Sequence, residues 1–345
     1  MEKDLMDRLQ DGLSEKRENL ETWLKDTPPE KRQVILGNAP EEAVSSHLAT
    51  LETAVEQASQ GSLGTCEVCH EKIDTGLLEM DYSCCVCLDH LSSDQARSLE
   101  FEIELAQTVQ RSLLPEQVPD THALEVAAFT RPAQYISGDY FDFFRFSDGA
   151  HGLAIGDVAG HGIAASLHMA TLQALLRTLI PMSDSTVEVV EHLHRLLVHN
   201  VRFSNFVTLF LGAYDVASRR FAYTNAGHNP PLVIKAGSSQ AGDNLWLWPT
   251  GPALGLVENC EFSTGVLQLA VGDLVLLYTD GVTEAENPAG EQFDREGLEQ
   301  AAVRNRHLPA RELVQALRGE LEDFTNHQPL EDDATLLVVR IMDEH

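Results

Sequence analysis

The sequence predicts an α+β fold, on three observations. From about residue 121 the chain runs through short β-compatible segments, two helical stretches, more strands, a helix and a last strand, an order that suits segregated strands and helices better than repeating β-α units. Ahead of this region lie polar segments with helical apolar stripes. Between the two sits a cluster of cysteines. With 345 residues there is room for two or three domains.

Residues 2–25 carry Leu5, Leu9, Leu13, Leu20 and Leu24 on one helical stripe, which Asp26-Thr27-Pro28-Pro29-Glu30 breaks. A second helix is expected over Glu41–Gln60, with Ala43, Leu48, Leu51 and Val55 inward and Glu41 and Glu42 after Pro40 at its positive end. The two form an antiparallel hairpin in this reading; Lys31–Asn38 reads as either a helical turn or a loop. Ser92–Leu114 reads as one helix. Its Ala96, Leu99, Ile103, Ala106, Gln110 and Leu113 alternate three and four apart, as in a coiled-coil seam or an intramolecular packing face. Pro115 stops it. The expected parts are 1–90, a helical hairpin with a small cysteine module; 91–115, a linker helix able to pair with a second copy; and 116–345, the α+β domain.

Within that last part, Ala123–Arg131 is β-compatible, Ser137–Phe144 is a turn entering a strand, and Gly152–Asp157 is a further strand. Helices follow at about Ala164–Leu179 and Thr186–Asn200. Val207–Asp215 and Phe221–Asn225 form a hairpin through Ala217-Ser218-Arg219. Asp273–Asp280 is a buried strand ending in a carboxylate, Pro309–Phe324 is helical, and Ala334–Ile341 is the last strand. Tyr140, Phe141, Phe143 and Phe144 read as core.

Acidic residues outnumber basic ones 54 to 24, a formal charge of −30. That excess disfavours nucleic acid and an anionic membrane surface, both of which need Lys/Arg contacts. No apolar run reaches the ~18–20 residues of a membrane span, and MEKDLMDRLQ has no secretory apolar core. The expected setting is the cytoplasm. Five of the six cysteines fall between Cys66 and Cys87, which in such a chain suggests metal or redox chemistry over a disulfide framework. Cys66, Cys69, Cys84 and Cys87 make a C-x2-C-x14-C-x2-C frame, in which each turn presents two thiolates to one point, as structural Zn2+ requires. A dithiol switch is the competing reading. Cys85 is surplus, either an alternative ligand or a thiol open to oxidation.

The stretch from His47 through Gly61-Ser-Leu-Gly-Thr-Cys66-Glu-Val-Cys69 to Ile73 resembles the DksA/TraR-type zinc finger over about residues 40–110. The resemblance implies a helix leading through a Gly-containing turn into the first cysteine pair, and a long helix after the second. Its spacing between pairs is shorter than the family's, and Pro28-Pro29 stands where the family has an acidic tip, so polymerase binding is not carried over.

Four acidic sites adjoin strand ends: Asp139 after Gly138, Asp157 before Val-Ala-Gly-His161-Gly, Asp280-Gly281, and Asp332-Asp333. Each alone is an ordinary turn residue. Together they suggest oxygen ligands for hard divalent cations, two of which can activate a shared water and clamp a phosphate. Ser137-Gly-Asp139-Tyr-Phe-Asp142, Gly156-Asp157-Val-Ala-Gly-His161-Gly, Phe206-Val-Thr208, Asn225-Ala-Gly227-His228-Asn-Pro-Pro, Gly251–Gly255, Tyr278-Thr-Asp280-Gly281-Val-Thr-Glu284 and Asp332-Asp333-Ala-Thr335 follow one another in an order that resembles SpoIIE/RsbU-type phosphatases, relatives of the 2C class of metal-dependent protein phosphatases. The match covers about residues 100–341.

The resemblance implies an α-β-β-α sandwich and a protein serine/threonine phosphatase in which two Mn2+ or Mg2+ ions activate the attacking water. Carried over, Asp157 bridges the ions. The Val158 carbonyl and Asp139 serve one ion, and Asp280 and Asp332, with Asp333 as the competing choice, serve the other. His161 is the candidate acid for the departing alkoxide, His228 orders its turn, and Arg131 or Arg145 is a candidate phosphate ligand. The implied substrate is a phosphorylated STAS-type anti-anti-sigma factor in a partner-switching pathway, with the zinc module regulating. The competing reading is a transcription modulator acting through the zinc module, its phosphatase domain degenerate. A hydrolase of small phosphoesters is a third.

Overall fold

The computed structural model describes residues 10, 12–14, 17–18, 20–22, 24–25, 41–73, 78, 84–115, 122–133, 135–159, 162–200, 206–237, 244–257 and 259–343. The chain forms two compact units, Met1–Phe101 and Glu102–His345. The division falls inside the linker helix, not after it.

In the first unit, helix α1 (Glu41–Ser59) buries Leu51 and Ala54 against Leu13 and Leu63, with Leu20 and Val55 at the margin. Of the face expected from the sequence, Leu51 and Val55 lie in this cluster, and Ala54 joins them. The Pro28-Pro29 turn lies outside the described residues. Gly61 and Gly64 take the left-handed turn that follows α1, and a Cβ on Gly64 would stand 2.6 Å from Leu78 Cδ1. Helix α2 (Ser93–Leu113) then begins. Among the described residues no helix is long and apolar enough to cross a membrane.

The second unit holds two antiparallel five-stranded sheets. Strands β1 (Leu124–Arg131), β2 (Tyr140–Arg145) and β3 (His151–Val158) come first. Helices α3 (Gly162–Leu179) and α4 (Thr186–Asn200) follow. Then come β4 (Val207–Asp215), β5 (Arg220–Ala226), β6 (Leu232–Ile234), β7 (Leu245–Trp246), β8 (Gly265–Gln268) and β9 (Leu274–Tyr278). The chain closes with the short helix α5 (Asp280–Thr283), α6 (Asp294–Asn305), α7 (Ala310–Phe324) and β10 (Ala334–Ile341). One sheet has the order β1-β10-β9-β6-β7 and the other β2-β3-β4-β5-β8.

Three apolar layers follow from the two-residue period of the strands. Along β10, Leu337, Val339 and Ile341 point between the sheets, where they join Leu153, Ile155 and Phe210 of the other sheet. Leu336 and Val338 face the opposite way, against Leu313 and Leu317 of α7 and Leu298 of α6. In the second sheet, Ala154 and Val158 of β3 face Met169 and Leu172 of α3 and Leu193 of α4. The result is a helix-sheet-sheet-helix sandwich. Helix α6 escaped the sequence reading because its inward face is small: Leu298, Ala301 and Ala302 sit among Arg295, Glu296, Gln300 and Arg304.

Three residues of the predicted seam of α2 have packing partners within the chain. Leu99 sits against the cysteine cluster, Leu113 against the α3/α4 layer, and Gln110 is buried. Phe101, Leu105 and Val109 are left exposed as a second stripe, four residues apart.

Candidate active site

Strand parity gathers the acidic residues. Asp157 shares the inter-sheet face of β3 with Leu153 and Ile155, and Asp333 shares that of β10 with Leu337 and Val339. Asp139 enters β2 and Thr279 leaves β9 at the same end of the sandwich. Side chains two residues apart thus change from leucine and isoleucine to carboxylates where the sheets end.

Asp139 is buried. Its Oδ2 accepts hydrogen bonds from the hydroxyls of Thr279 (2.8 Å) and Thr335 (2.7 Å). The Thr335 amide in turn donates to Thr279 Oγ1 at 2.9 Å, so the two threonines brace one another. Asp333 is tied by both oxygens: the amide of Ala133 donates to Oδ1 at 2.8 Å and that of Gly138 to Oδ2 at 2.6 Å. Asp332 is exposed, and its Oδ1 accepts the Asp333 amide at 2.8 Å. Asp280 opens α5, in a turn that requires glycine next. A Cβ on Gly281 would lie 2.1 Å from the Asp333 carbonyl oxygen. The Val158 side chain is buried on the helix side, so only its backbone can face the site. His161 lies outside the described residues.

The charges are unbalanced. Asp157 is pushed up to about 8, first by burial and then by the charges of Asp280, Asp332, Asp333 and Glu284. Asp139 is raised well above the carboxylate range by burial, then by Asp157 and Asp333, against the pull of the two threonine hydroxyls. Asp280 is raised by burial and by Glu284. Among the other carboxylates buried in this unit, Asp142 is paired with Arg177 at 2.9 Å and Asp273 with Lys235 at 2.9 Å, while Glu299 accepts a hydrogen bond from the Asn244 amide at 2.7 Å. Among the described residues, Asp139, Asp157, Asp280 and Asp333 have no such basic partner. A hard-oxygen donor set with no counter-charge of its own fits divalent cations.

Around this centre, Thr208 on β4 sets its hydroxyl 3.4 Å from the Asp157 carbonyl and 2.9 Å from His228 Nδ1. His228 is buried and depressed to about 4 by that burial, so it stays neutral. Its backbone amide donates to Asn225 Oδ1 at 2.8 Å within the Asn225–Pro230 turn. Arg131 ends β1 beside Ala334 and lies 3.8 Å from Glu322. Arg145 ends β2 at the far edge from Asp139 and donates to the Gly149 carbonyl, which removes it from the site. Sequence reasoning passed over Thr279, Thr335 and Gln110. The amide of Gln110 donates to the Ser137 carbonyl at 2.5 Å and accepts from the Ser137 amide at 3.0 Å, holding the loop that carries Asp139. The two threonines were visible inside the quoted motifs, whereas Gln110 read only as a polar interruption.

In the first unit the structure brings together Cys66, Cys69, Cys87 and His90, whose donor atoms all lie within 4.8 Å of one another. Cys84 is not among the four. Its Sγ donates to the Val86 carbonyl at 3.1 Å, while Cys85 is exposed. Cys66 is lowered to about 6, chiefly by the backbone amide of Cys69 and then by those of Cys87 and Val68. Cys87 is pushed up to about 11 by burial and by the neighbouring Cys66 and Cys69.

The family model of Stage II sporulation protein E (SpoIIE) matches residues 147–342, more than half of the chain, and leaves Asp139 just ahead of the matched stretch. The chain is 31% identical over 245 residues to "Phosphoserine phosphatase RsbU" of Bacillus subtilis, covering 71% of each protein. Among solved structures it resembles the RsbU and RsbW domains of Rv1364c from Mycobacterium tuberculosis (TM-score 0.55, 29% identity, 65% of this chain and 61% of that one). It also resembles the SiaA-PP2C domain of Pseudomonas aeruginosa (TM-score 0.63, 19% identity, 73% of this chain and 100% of that one), a likeness of fold.

Proposed function

Because the chain belongs to the SpoIIE family and is a metal-dependent serine/threonine phosphatase of the PP2C class, we propose that it removes phosphate from phosphoserine or phosphothreonine on a STAS-domain protein, within a partner-switching pathway that governs a sigma factor in the cytoplasm. The observation that carries the reading is the buried, uncompensated carboxylate cluster where the two sheets end.

Two Mn2+ or Mg2+ ions bound there would supply an activated water and neutralise charge on the phosphoryl oxygens. Asp157 would bridge them, with the Val158 carbonyl and Asp139 serving one and Asp280 and Asp332 the other. The pairing of both Asp333 oxygens with backbone amides favours Asp332 as the ligand of that adjacent pair, leaving Asp333 to hold the Ala133–Gly138 loop. Thr279 and Thr335 keep one oxygen of Asp139 engaged and so fix the direction of the other. Neutral His228, through Thr208, supports the strand end that carries Asp157. His161 is the proposed acid for the departing alkoxide.

The N-terminal module regulates in this proposal, and α2 passes its state to the catalytic loop. The bonds between Gln110 and Ser137 support that route. Pairing of two chains through α2 would use the exposed stripe of Phe101, Leu105 and Val109.

The test is release of inorganic phosphate from a serine-phosphorylated STAS protein of the same organism, with and without Mn2+, by the wild type and Asp157→Asn. Mn2+-dependent release by the wild type alone is expected. Equal rates in the two proteins would remove the mechanism, while Asp157-dependent turnover of small phosphoesters but not of the phosphoprotein would remove the substrate.

A further inference from the structure

The C-x2-C-x14-C-x2-C frame assigns Cys84 to the cysteine module's metal, but the folded chain presents a different fourth donor. The geometry points to a Zn2+ site made by Cys66, Cys69, Cys87 and the Nδ1 of His90, a C-x2-C-x17-C-x2-H frame. This assignment stands independently of the phosphatase reading.

Two turns build it. In the first, the His70 amide donates to the Cys66 carbonyl at 2.9 Å, and His70 takes a left-handed conformation (φ 61°), so the chain reverses just after Cys69 and both sulfurs face one point. In the second, the His90 amide donates to the Cys87 carbonyl at 2.9 Å across the single 3-10 turn Leu88–His90, which brings the imidazole beside the Cys87 sulfur. The turns are joined by the Glu67 amide donating to the Cys85 carbonyl at 2.8 Å. That bond engages the backbone of Cys85 and leaves its side chain exposed.

Two of the spacings match those of a tetrahedral zinc ion. Zn–S bonds of about 2.3 Å and Zn–N bonds of about 2.0–2.1 Å place two sulfurs roughly 3.8 Å apart and a sulfur and a nitrogen roughly 3.6 Å apart. Cys69 Sγ lies 3.8 Å from Cys87 Sγ, and Cys66 Sγ lies 3.8 Å from His90 Nδ1. Cys87 Sγ and His90 Nδ1 are closer, at 3.0 Å, and the exposed imidazole has room to turn outward by the difference. Soft thiolates with one imidazole select zinc over the hard cations that suit the carboxylate centre. Around the site, Cys66, Ile73 and Leu78 make a small buried cluster flanked by Val86 and Leu99. With so little apolar surface, the metal stabilises the module's fold, as it does in other small zinc domains.

Cobalt substitution of the untagged full-length chain tests this, because only thiolate ligands give sulfur-to-Co2+ charge-transfer absorption and the carboxylate centre gives none. Expected are one tightly held zinc per chain that 4-(2-pyridylazo)resorcinol does not remove, and a charge-transfer intensity of three thiolates. Cys84→Ser should leave both unchanged, since serine can still donate to the Val86 carbonyl. Cys87→Ser should lose one thiolate's intensity. His90→Ala should keep the three-thiolate intensity, weaken zinc at least tenfold, and shift the d–d bands as water replaces the imidazole. An equal loss of intensity in Cys84→Ser and Cys87→Ser, with His90→Ala unaffected, would establish the four-cysteine set and overturn the assignment. Absence of charge transfer in the wild type, with thiols titratable only after reduction, would establish a disulfide switch instead.

Discussion

Asp157→Asn should make the protein inactive and, without Mn2+ or Mg2+, more stable. Burial and the surrounding carboxylates push Asp157 up to about 8. The folded chain therefore keeps a proton there that the unfolded chain has already released above pH ~4. A group whose folded pKa is raised contributes stability at low pH and loses it as pH climbs toward the folded value. His228 works in the opposite sense. Depressed to about 4, it leaves the unfolded chain binding the extra proton, so stability rises with pH, but only up to the ordinary histidine value near 6.5. In the second unit, between pH ~6.5 and ~8, the histidine contribution is complete and the Asp157 slope runs in the same direction as those of Asp139 and Asp280, which are also raised. Over that 1.5-unit window, at ~1.4 kcal/mol per unit and proton, Asp157 alone should cost the metal-free wild type about 2 kcal/mol. For a unit of this size that is roughly 4–8 °C in Tm. The assay is thermal melting followed by tryptophan fluorescence, after dialysis into buffer free of Mn2+ and Mg2+ that leaves zinc in place. Asp157→Asn, neutral at this position throughout, should show a shallower profile, with the slope of Asp139 and Asp280 remaining, and should not be stabilised by Mn2+, whereas the wild type should recover its loss on adding Mn2+ at pH ~8. A wild-type Tm that is constant or rises across the window, or the same slope in Asp157→Asn, would refute the reasoning.

The adjacent acidic pair should separate cleanly. Asp333→Asn leaves one of the Ala133 and Gly138 amides unpaired and should cost about 1–3 kcal/mol in melts, while Asp332→Asn should melt within about 0.5 kcal/mol of the wild type yet need far more Mn2+ for activity. Gly281→Ala sets a methyl 2.1 Å from the Asp333 carbonyl oxygen, so it should lower stability by about 1–3 kcal/mol or more and raise the Mn2+ requirement, because the displaced backbone carries both ligand turns; a normal metal titration would argue against that link. If two chains pair through α2, light scattering should show a dimer that Leu105→Glu with Val109→Glu reduces to a monomer, and a monomeric wild type would remove the pairing proposal.

The catalytic unit was largely legible from residue order because its elements obey simple periods. The alternation of β9 and β10 and the apolar faces of α3 and α4 appear directly in the chain. Elements β6, β7, β8 and α6 were not found: the strands are short, and the helix buries alanines that a hydrophobic-period reading weights little. The seam of α2 had the right residues but two equally good partners. Gln110 engages the chain itself, its amide matched on both sides by Ser137.

Two ambiguities have the same physical form. Asp332 and Asp333 are chemically identical neighbours, as are Cys84 and Cys85, and local spacing treats such neighbours as interchangeable. What separates them is which backbone groups need a partner. Ala133 and Gly138 approach β10 with their amides directed at one carboxylate, so the residue on the inter-sheet side becomes a structural acceptor, while its exposed neighbour accepts the Asp333 amide through Oδ1. In the cysteine module the same competition works through carbonyls. Val86 accepts the Cys84 thiol, and the 3-10 turn after Cys87 carries a histidine into the remaining position. A histidine three residues after a cysteine therefore competes with a cysteine three residues before it, and the turn that closes on the correct side decides between them. Metal frames with a histidine just past the final C-x2-C are for that reason two candidate frames until the closing turn is known.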